Sequence, residues 1–209
     1  MRSPIEAVLF DLGGIVLDIS FARALAVWRE FSELNETELR VSFRFDECYQ
    51  RHERGDISGT DYLQHLRETL RLNASDEQVL AGWNAIFIGL MPASVEIITA
   101  LRAHKRCYAF TNTNALHAAF WRAEYPQTQQ MFEHIFVSSQ MRMRKPEAAA
   151  FAYTLREMQL DATQVLFVDD TQSNVDGARV AGLHAEQVDS AASLTAALAA
   201  HGLCSPELQ

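Results

Sequence analysis

Cysteines and long apolar runs are scarce in this chain of 209 residues. The three cysteines, Cys48, Cys107 and Cys204, lie far apart and form no CxxC pair and no pattern with histidine. We therefore expect free thiols in a reducing compartment. No apolar run approaches the roughly 18 residues of a membrane span, and no signal-peptide core follows the N-terminus. These absences predict a cytoplasmic protein without a membrane partner.

Basic residues are also too few for a binder of polyanions. The chain has 18 Lys and Arg against 27 Asp and Glu, which gives a formal net charge of −9. This balance argues against nucleic acid as a partner, although a local pocket can still bind a small anion. With 48% hydrophobic and 22% charged residues, the composition fits one globular domain, with or without an insertion.

Short apolar segments of strand character recur in the sequence, and most alternate with helical patterns. We predict four strands at 7–10, 107–110, 135–137 and 165–168 and a weaker one at 184–188. The first of them, Ala7-Val8-Leu9-Phe10, is apolar throughout, as in a strand that is buried on both faces. Alternating strands and helices predict an α/β fold, with a Rossmann-like, doubly wound parallel sheet as its core.

Residues 18–90 interrupt this alternation with a nearly all-helical pattern and no convincing strand. Ser58 and the segment Ser75 to Gln78 are suitable helix N-terminal caps, and the charged segment 51–58 is typical of a loop between helices. We therefore predict a helical insertion at 18–90 and a core formed by 1–17 and 91–209.

Polar side chains follow three of the predicted strands at the point where each strand ends. Asp11 follows the first strand, Thr111 and Asn112 follow the second, and Asp169 and Asp170 follow the fourth. The carboxyl ends of parallel strands meet at one edge of a sheet, where open α/β folds bind ligands. Crowded carboxylates repel one another unless a cation lies among them, and hard oxygen ligands suit Mg²⁺.

Lys145, which follows the third strand, adds a positive charge for an anion at the same edge. With the Thr111 hydroxyl, the backbone amides after it and Asp11 as nucleophile, the set is suited to phosphoryl transfer. Each residue alone also has an ordinary explanation, as a turn residue, a helix cap or a solvated lysine. Their joint occurrence at successive strand ends favours the functional interpretation.

The order of these motifs resembles the haloacid dehalogenase superfamily. The matching segments are Phe10-Asp11-Leu12-Gly13-Gly14, Thr111-Asn112, Lys145-Pro146 and Val168-Asp169-Asp170. The resemblance covers nearly the whole chain, and the helical insertion falls where subfamily IA carries its small α-helical C1-type cap. A closer resemblance is to the bacterial α-D-glucose-1-phosphatase-like branch. It is carried by His52-Glu53-Arg54-Gly55, Thr111-Asn112-Thr113-Asn114, Phe120-Trp121, Glu124-Tyr125-Pro126 and Met143-Arg144-Lys145-Pro146-Glu147.

The resemblance implies a phosphatase that forms an aspartyl-phosphate on Asp11, which water then hydrolyses. The implied cofactor is Mg²⁺. The residues implied to hold it or its water shell are Asp11, the Gly13 backbone carbonyl, Asp169, Asp170 and Asn174.

The resemblance also implies how the substrate is bound. Thr111, the Asn112 backbone and Lys145 would bind the phosphoryl group, and the cap would close over the substrate. His52 and Arg54 are candidates for binding the leaving group. The implied partner is a small phosphorylated metabolite, with α-D-glucose 1-phosphate first, acted on by a monomer or homodimer.

One position departs from the superfamily pattern. Most phosphatases of this superfamily have an acid/base Asp two residues after the nucleophile, where this chain has Gly13. A glycine carbonyl can bind metal but cannot transfer a proton, and such transfer is typically worth about 10²–10⁴-fold in rate. Two alternatives stay open: a metal-independent 2-haloacid dehalogenase, and a phospho-ligand sensor without catalytic activity. A phosphomutase would depend on the missing acid/base group.

Overall fold

The computed structural model describes residues 4–203. This part of the chain contains seven strands: β1 (Ala7–Phe10), β2 (Leu17–Ile19), β3 (Phe87–Leu90), β4 (Arg106–Thr111), β5 (Ile135–Val137), β6 (Val165–Asp169) and β7 (His184–Gln187).

Eleven α-helices accompany the strands in the same described range. They are α1 (Phe21–Trp28), α2 (Glu36–Ser42), α3 (Glu47–Arg54), α4 (Gly59–Thr69), α5 (Asp76–Asn84), α6 (Pro92–Leu101), α7 (Ala115–Glu124), α8 (Ser138–Met141), α9 (Ala148–Met158), α10 (Gln172–Val180) and α11 (Ala191–Ala200). None of these helices is long and apolar enough to cross a membrane.

Five of the strands form one parallel sheet in the order β5-β4-β1-β6-β7. The central strand β1 is buried on both faces, because Val8 and Phe10 pack into one hydrophobic cluster and Ala7 and Leu9 into another. Helices cover both faces of the sheet. The predicted α/β fold with a doubly wound parallel sheet is confirmed.

Helices α1 to α5 surround a third hydrophobic cluster of their own. The indole rings of Trp28 and Trp83 stack at 6.1 Å between centroids, and Tyr62 packs against Trp83 at 5.2 Å. The predicted caps are present, since the Ser58 and Ser75 side chains both accept hydrogen bonds in capping boxes.

Two predictions within 18–90 are wrong. The segment is not free of strands, because β2 and β3 pair as a two-stranded antiparallel ribbon that lies before α1 and after α5. Both strands are short, and each depends on a partner some 70 residues away, so local periodicity does not reveal them. In addition, residues 51–54 belong to the last turn of α3, and the chain leaves the helix only at Gly55, whose φ is +72°.

The cysteine prediction is supported as far as the described residues reach. Cys48 is half-buried, Cys107 is buried, and both are free thiols. Cys204 lies outside the described residues.

Close packing of α1 on α5 generates a stability prediction at Gly82. A Cβ at this helical position would overlap the Trp28 indole, whose Nε1 donates a hydrogen bond of 3.0 Å to the Val79 carbonyl. Although Gly→Ala usually stabilises a helix by about 1 kcal/mol, we expect Gly82→Ala to lower the free energy of unfolding by about 1–3 kcal/mol through overpacking. Urea denaturation measures this change in the free energy of unfolding. Gly89→Ala is the control, because open space surrounds that position; equal effects at both sites would contradict the packing argument.

Candidate active site

The carboxyl ends of β1, β4 and β6 are adjacent in the sheet and bring the predicted residues together. One carboxylate oxygen from each of Asp11, Asp169 and Asp170 lies within 4.8 Å of the others. Asp11, Thr111 and Asp170 line a cavity of about 390 Å³. Residues that are up to 160 positions apart in sequence thus share one site because the sheet is parallel.

Lys145 is the cation at the centre of this cluster. Its side chain is fully buried, and Nζ lies 2.9 Å from Asp11 Oδ1 and 2.6 Å from Asp169 Oδ2. The rings of Phe110 and Phe167 flank the ammonium at 5.3 and 5.4 Å. Burial alone would lower the pKa of Lys145, but the two carboxylates outweigh it and raise the pKa, so the ammonium stays charged.

Asp11 is held in one orientation and is hard to ionise without a further cation. Burial, opposed by Lys145 and reinforced by the other aspartates, raises the pKa of Asp11 to about 7. Oδ1 accepts hydrogen bonds from the Leu12 backbone amide at 2.7 Å and from the Lys145 ammonium. Both contacts fall on the same oxygen, and within residues 4–203 no hydrogen bond reaches Oδ2, so this oxygen can react or bind a metal ion.

Asp169 has a different role from that of Asp170. It is completely buried, and its oxygens accept from Lys145, from the Thr171 amide at 2.8 Å and from Asn174 Nδ2 at 3.0 and 3.1 Å. These contacts occupy both carboxylate oxygens. Asp170 reaches the cavity, and burial raises its pKa as well. The geometry therefore favours Asp170 over Asp169 as a direct metal ligand.

The predicted phosphoryl-binding residues surround Lys145. Thr111 is the last residue of β4, is buried, and lines the cavity. The Asn112 side chain clamps the Lys145 backbone: Nδ2 donates to its carbonyl at 2.9 Å, and Oδ1 accepts from its amide at 2.8 Å. The Asn112 side chain thus orients the backbone of Lys145.

The two glycines after Asp11 differ in their conformational demands. Gly14 has a φ of +76°, and a Cβ there would overlap the Asp170 carboxylate. Gly13 has no such conformation, and a Cβ would meet the side-chain carbon Cδ1 of Ile19 at 3.0 Å. The tight approach of the turn to Asp170 therefore depends on Gly14.

His52 and Arg54 do not lie on the cavity wall. His52 is buried against Tyr62 at 4.2 Å between ring centroids, and neither of its ring nitrogens has a hydrogen-bond partner among the described residues. Arg54 pairs with Glu147. The structure gives neither side chain a contact with the cavity, and it places Glu53, which lies between them, there instead.

Four cavity residues with titratable side chains lie outside the predicted cluster and were not predicted as site residues from the sequence: Tyr49, Glu53, His117 and Arg144. Glu53 is buried and paired with Arg144, at 2.9 Å from Nε and 2.8 Å from Nη2. Recognition of 47–54 as a helix would have placed Tyr49 and Glu53, which are four residues apart, on one face.

A family model for haloacid dehalogenase-like hydrolases matches residues 5–182, and the chain therefore belongs to this family. D-ribitol-5-phosphate phosphatase of Bacteroides thetaiotaomicron is 21% identical over 194 residues, which are 90% of this chain and 94% of the relative. A phosphatase of Mycobacterium tuberculosis is 27% identical and covers 88% of both chains. A haloacid dehalogenase family enzyme of B. thetaiotaomicron, solved with magnesium and inorganic phosphate, shares the fold: the TM-score is 0.76 at 23% identity, over 88% of this chain and 93% of that one.

The glycine pair generates a prediction with a built-in control. Gly14→Ala places a side chain at positive φ and against Asp170, so we expect a loss of about 1–3 kcal/mol in the free energy of unfolding. Gly13→Ala should cost less than about 1 kcal/mol, because only the flexible end of Ile19 must move. Thermal or urea unfolding of both variants measures the difference. A larger loss at Gly13 would show that the turn depends on the other glycine.

The buried histidines generate a pH prediction. Burial lowers the pKa of His52 to about 4 and that of His117 to about 3, from 6.5 in both cases. Below pH 6.5 the unfolded chain therefore binds more protons, so their contribution is complete above pH 6.5 and is lost as the pH falls. At pH 5 each histidine should cost about 2 kcal/mol in the free energy of unfolding.

The variant His52→Phe keeps a ring against Tyr62 and removes one titrating group. We expect its free energy of unfolding to fall less between pH 7.5 and pH 5.0 than that of the unmodified protein, by about 2 kcal/mol. Urea denaturation at the two pH values provides the comparison. An identical fall in both proteins would mean that His52 is not held neutral by burial.

Proposed function

We propose that this protein is a Mg²⁺-dependent phosphomonoesterase that forms an aspartyl-phosphate on Asp11. The observation that carries the proposal is the carboxylate cluster around the buried Lys145. With Asp11, Asp169 and Asp170 ionised, the four side chains have two excess negative charges. A divalent cation neutralises them, and the phosphate dianion can then bind where isolated carboxylates would repel it.

The donor set fits Mg²⁺, which takes oxygen ligands and usually only one or two carboxylates. Asp11, through Oδ2, and Asp170 would hold the ion directly, together with the Gly13 carbonyl. Asp169 and Asn174 would support the water shell of the ion. When bound, the ion polarises the phosphoryl group and neutralises charge that develops on its oxygens. The complex of the B. thetaiotaomicron enzyme with magnesium and phosphate supports this choice.

The protein groups then divide the chemistry among them. The Asp11 carboxylate attacks phosphorus, the bond to the leaving oxygen breaks, and that oxygen takes up a proton from solvent water, because Gly13 has no acidic side chain to supply one. The Thr111 hydroxyl and the Asn112 backbone amide bind the phosphoryl oxygens, while the Lys145 ammonium supplies fixed positive charge. Water then attacks the phosphorus of the aspartyl-phosphate, which releases inorganic phosphate and restores the Asp11 carboxylate.

We assign residues 1–17 and 91–209 to a catalytic core and 18–90 to a cap that covers the cavity. Two ion pairs bridge the proposed parts beside the site, Glu53 with Arg144 and Arg54 with Glu147. A cap that lies over the phosphoryl site excludes water during the first step.

The substrate of this proposal is a small phosphorylated metabolite. A cavity of about 390 Å³ is at the lower end of the size range of small-molecule pockets. The resemblance to the glucose-1-phosphatase branch favours α-D-glucose 1-phosphate as the substrate. The relative named for D-ribitol 5-phosphate makes the phosphate of a sugar alcohol a second candidate substrate.

Replacing Asp11 tests the reaction class. We expect Asp11→Asn to lower Mg²⁺-dependent phosphate release from a panel of sugar phosphates by at least about 10³-fold, because the amide is not a nucleophile. A colorimetric phosphate assay with and without Mg²⁺ measures this. The control Asp176→Asn changes an exposed carboxylate on α10 and should keep full activity.

Phosphate release, halide release and phosphate binding together distinguish the alternatives. Undiminished release by Asp11→Asn would show that the nucleophile is misassigned. Release of halide from 2-haloacids without metal would instead support a dehalogenase. A folded protein that binds phosphate but hydrolyses nothing would support a sensor.

A further inference from the structure

One wall of the cavity is formed by residues of α3 and by Phe45, which lies two positions before this helix. Phe45, Tyr49 and Glu53 all line the cavity, and their exposure falls along this order. Phe45 is 56% exposed, whereas Glu53 is only 4% exposed. The wall therefore changes from aromatic and solvent-exposed at Phe45 to charged and buried at Glu53.

Glu53 is fixed in place by neighbours from the other side of the cavity. Arg144 directs both Nε and Nη2 to Oε2, at 2.9 and 2.8 Å. The Ser138 hydroxyl donates a hydrogen bond of 2.7 Å to the Glu53 backbone carbonyl. Burial, reinforced by the adjacent Glu53 carboxylate, raises the pKa of the Tyr49 hydroxyl. The Tyr49 hydroxyl also donates a hydrogen bond to this carboxylate. Because a carboxylate has about four lone-pair sites, Glu53 keeps acceptor capacity beyond its contacts with Arg144 and Tyr49.

The rest of the cavity supplies little comparable polarity outside the phosphoryl cluster. Within residues 4–203, Glu53 and Arg144 are the one oppositely charged pair of the lining besides that cluster. Much of the remaining wall is apolar, formed by Leu17, Ile19, Phe21, Ile86 and Phe87. The lining also contains neutral polar side chains, among them Thr113, Asn114, His117 and Ser173. A leaving group bound here therefore meets one negatively charged acceptor outside the phosphoryl cluster, together with apolar and neutral polar surface.

We propose that Glu53, oriented by Arg144, binds a hydroxyl group of the leaving group, so that the substrate is a polyol or sugar phosphate rather than an apolar phosphate ester. This inference rests on the proposed function and adds its specificity-determining residue. A hydroxyl donates to the carboxylate, whereas an alkyl chain would displace water from a buried charged acceptor and leave it unsatisfied. Arg144 serves as a positioning residue, because both of its contacts fix the carboxylate.

A matched pair of esters provides the test. D-ribitol 5-phosphate and n-pentyl phosphate have the same five-carbon chain, with and without hydroxyl groups. Binding is measured by calorimetry with Mg²⁺ in the Asp11→Asn background, where turnover does not interfere, and kcat/KM is measured with the unmodified nucleophile. We expect ribitol phosphate to bind at least about tenfold more tightly, as a hydrogen bond to a charged group allows. Glu53→Gln, which is nearly isosteric, should remove most of this preference.

The matched control is Asp56→Asn, which weakens another cap-to-core ion pair, with Arg142 at 3.8 Å, away from the cavity wall. It should leave the preference unchanged. Equal weakening of both esters by Glu53→Gln would reveal a merely structural role and overturn the proposal, as would an unaltered preference or no binding of either ester. A preference that depends on Glu53, without any turnover by the unmodified protein, would overturn the phosphatase assignment and keep the binding assignment.

Discussion

The buried ammonium of Lys145 is the interaction on which the rest of the site depends. It lies between two aspartates from different strands, at 2.9 and 2.6 Å, and none of its side chain is exposed. Isolated burial of such a charge costs several kcal/mol, so the lysine requires both carboxylates, and they require it. The Asn112 clamp on its backbone and the Asn174 and Thr171 contacts to Asp169 fix the geometry of this group. An array held this rigidly is preorganised to bind charge.

The strand ends of the site could be predicted from sequence because each apolar strand and the polar residue after it are adjacent in the chain. A parallel sheet then brings these strand ends to one edge. A buried segment such as β1 is apolar on both faces, and a polar residue directly after it must lie at the edge of the sheet. Asp11, Thr111 and Asp170 therefore reached the same cavity as predicted. The distinction between Asp169 and Asp170 was beyond the sequence, since it depends on which carboxylate meets Lys145.

The residues on the helical side could not be found in the same way. The charge density of 51–58 predicts a loop, but residues 51–54 form the last turn of α3. On a helix, His52, Glu53 and Arg54 point in directions about 100° apart, so only one of the three can face the cavity. That one is Glu53, one turn after Tyr49. Sequence alone identifies the segment but not which of its residues faces the cavity. That depends on the rotation of α3 about its axis, at which His52 packs against Tyr62.

Arg144 and Lys145 connect the two halves of the cavity through adjacent residues. Lys145 binds Asp11 and Asp169 at the phosphoryl end, while Arg144 binds Glu53 on the opposite wall. A displacement of α3 would remove the Glu53 carboxylate from the half-buried Arg144 guanidinium and break this ion pair. Since Arg144 and Lys145 are neighbours in the chain, one short segment of backbone positions both the carboxylate of the α3 wall and the ammonium of the phosphoryl end.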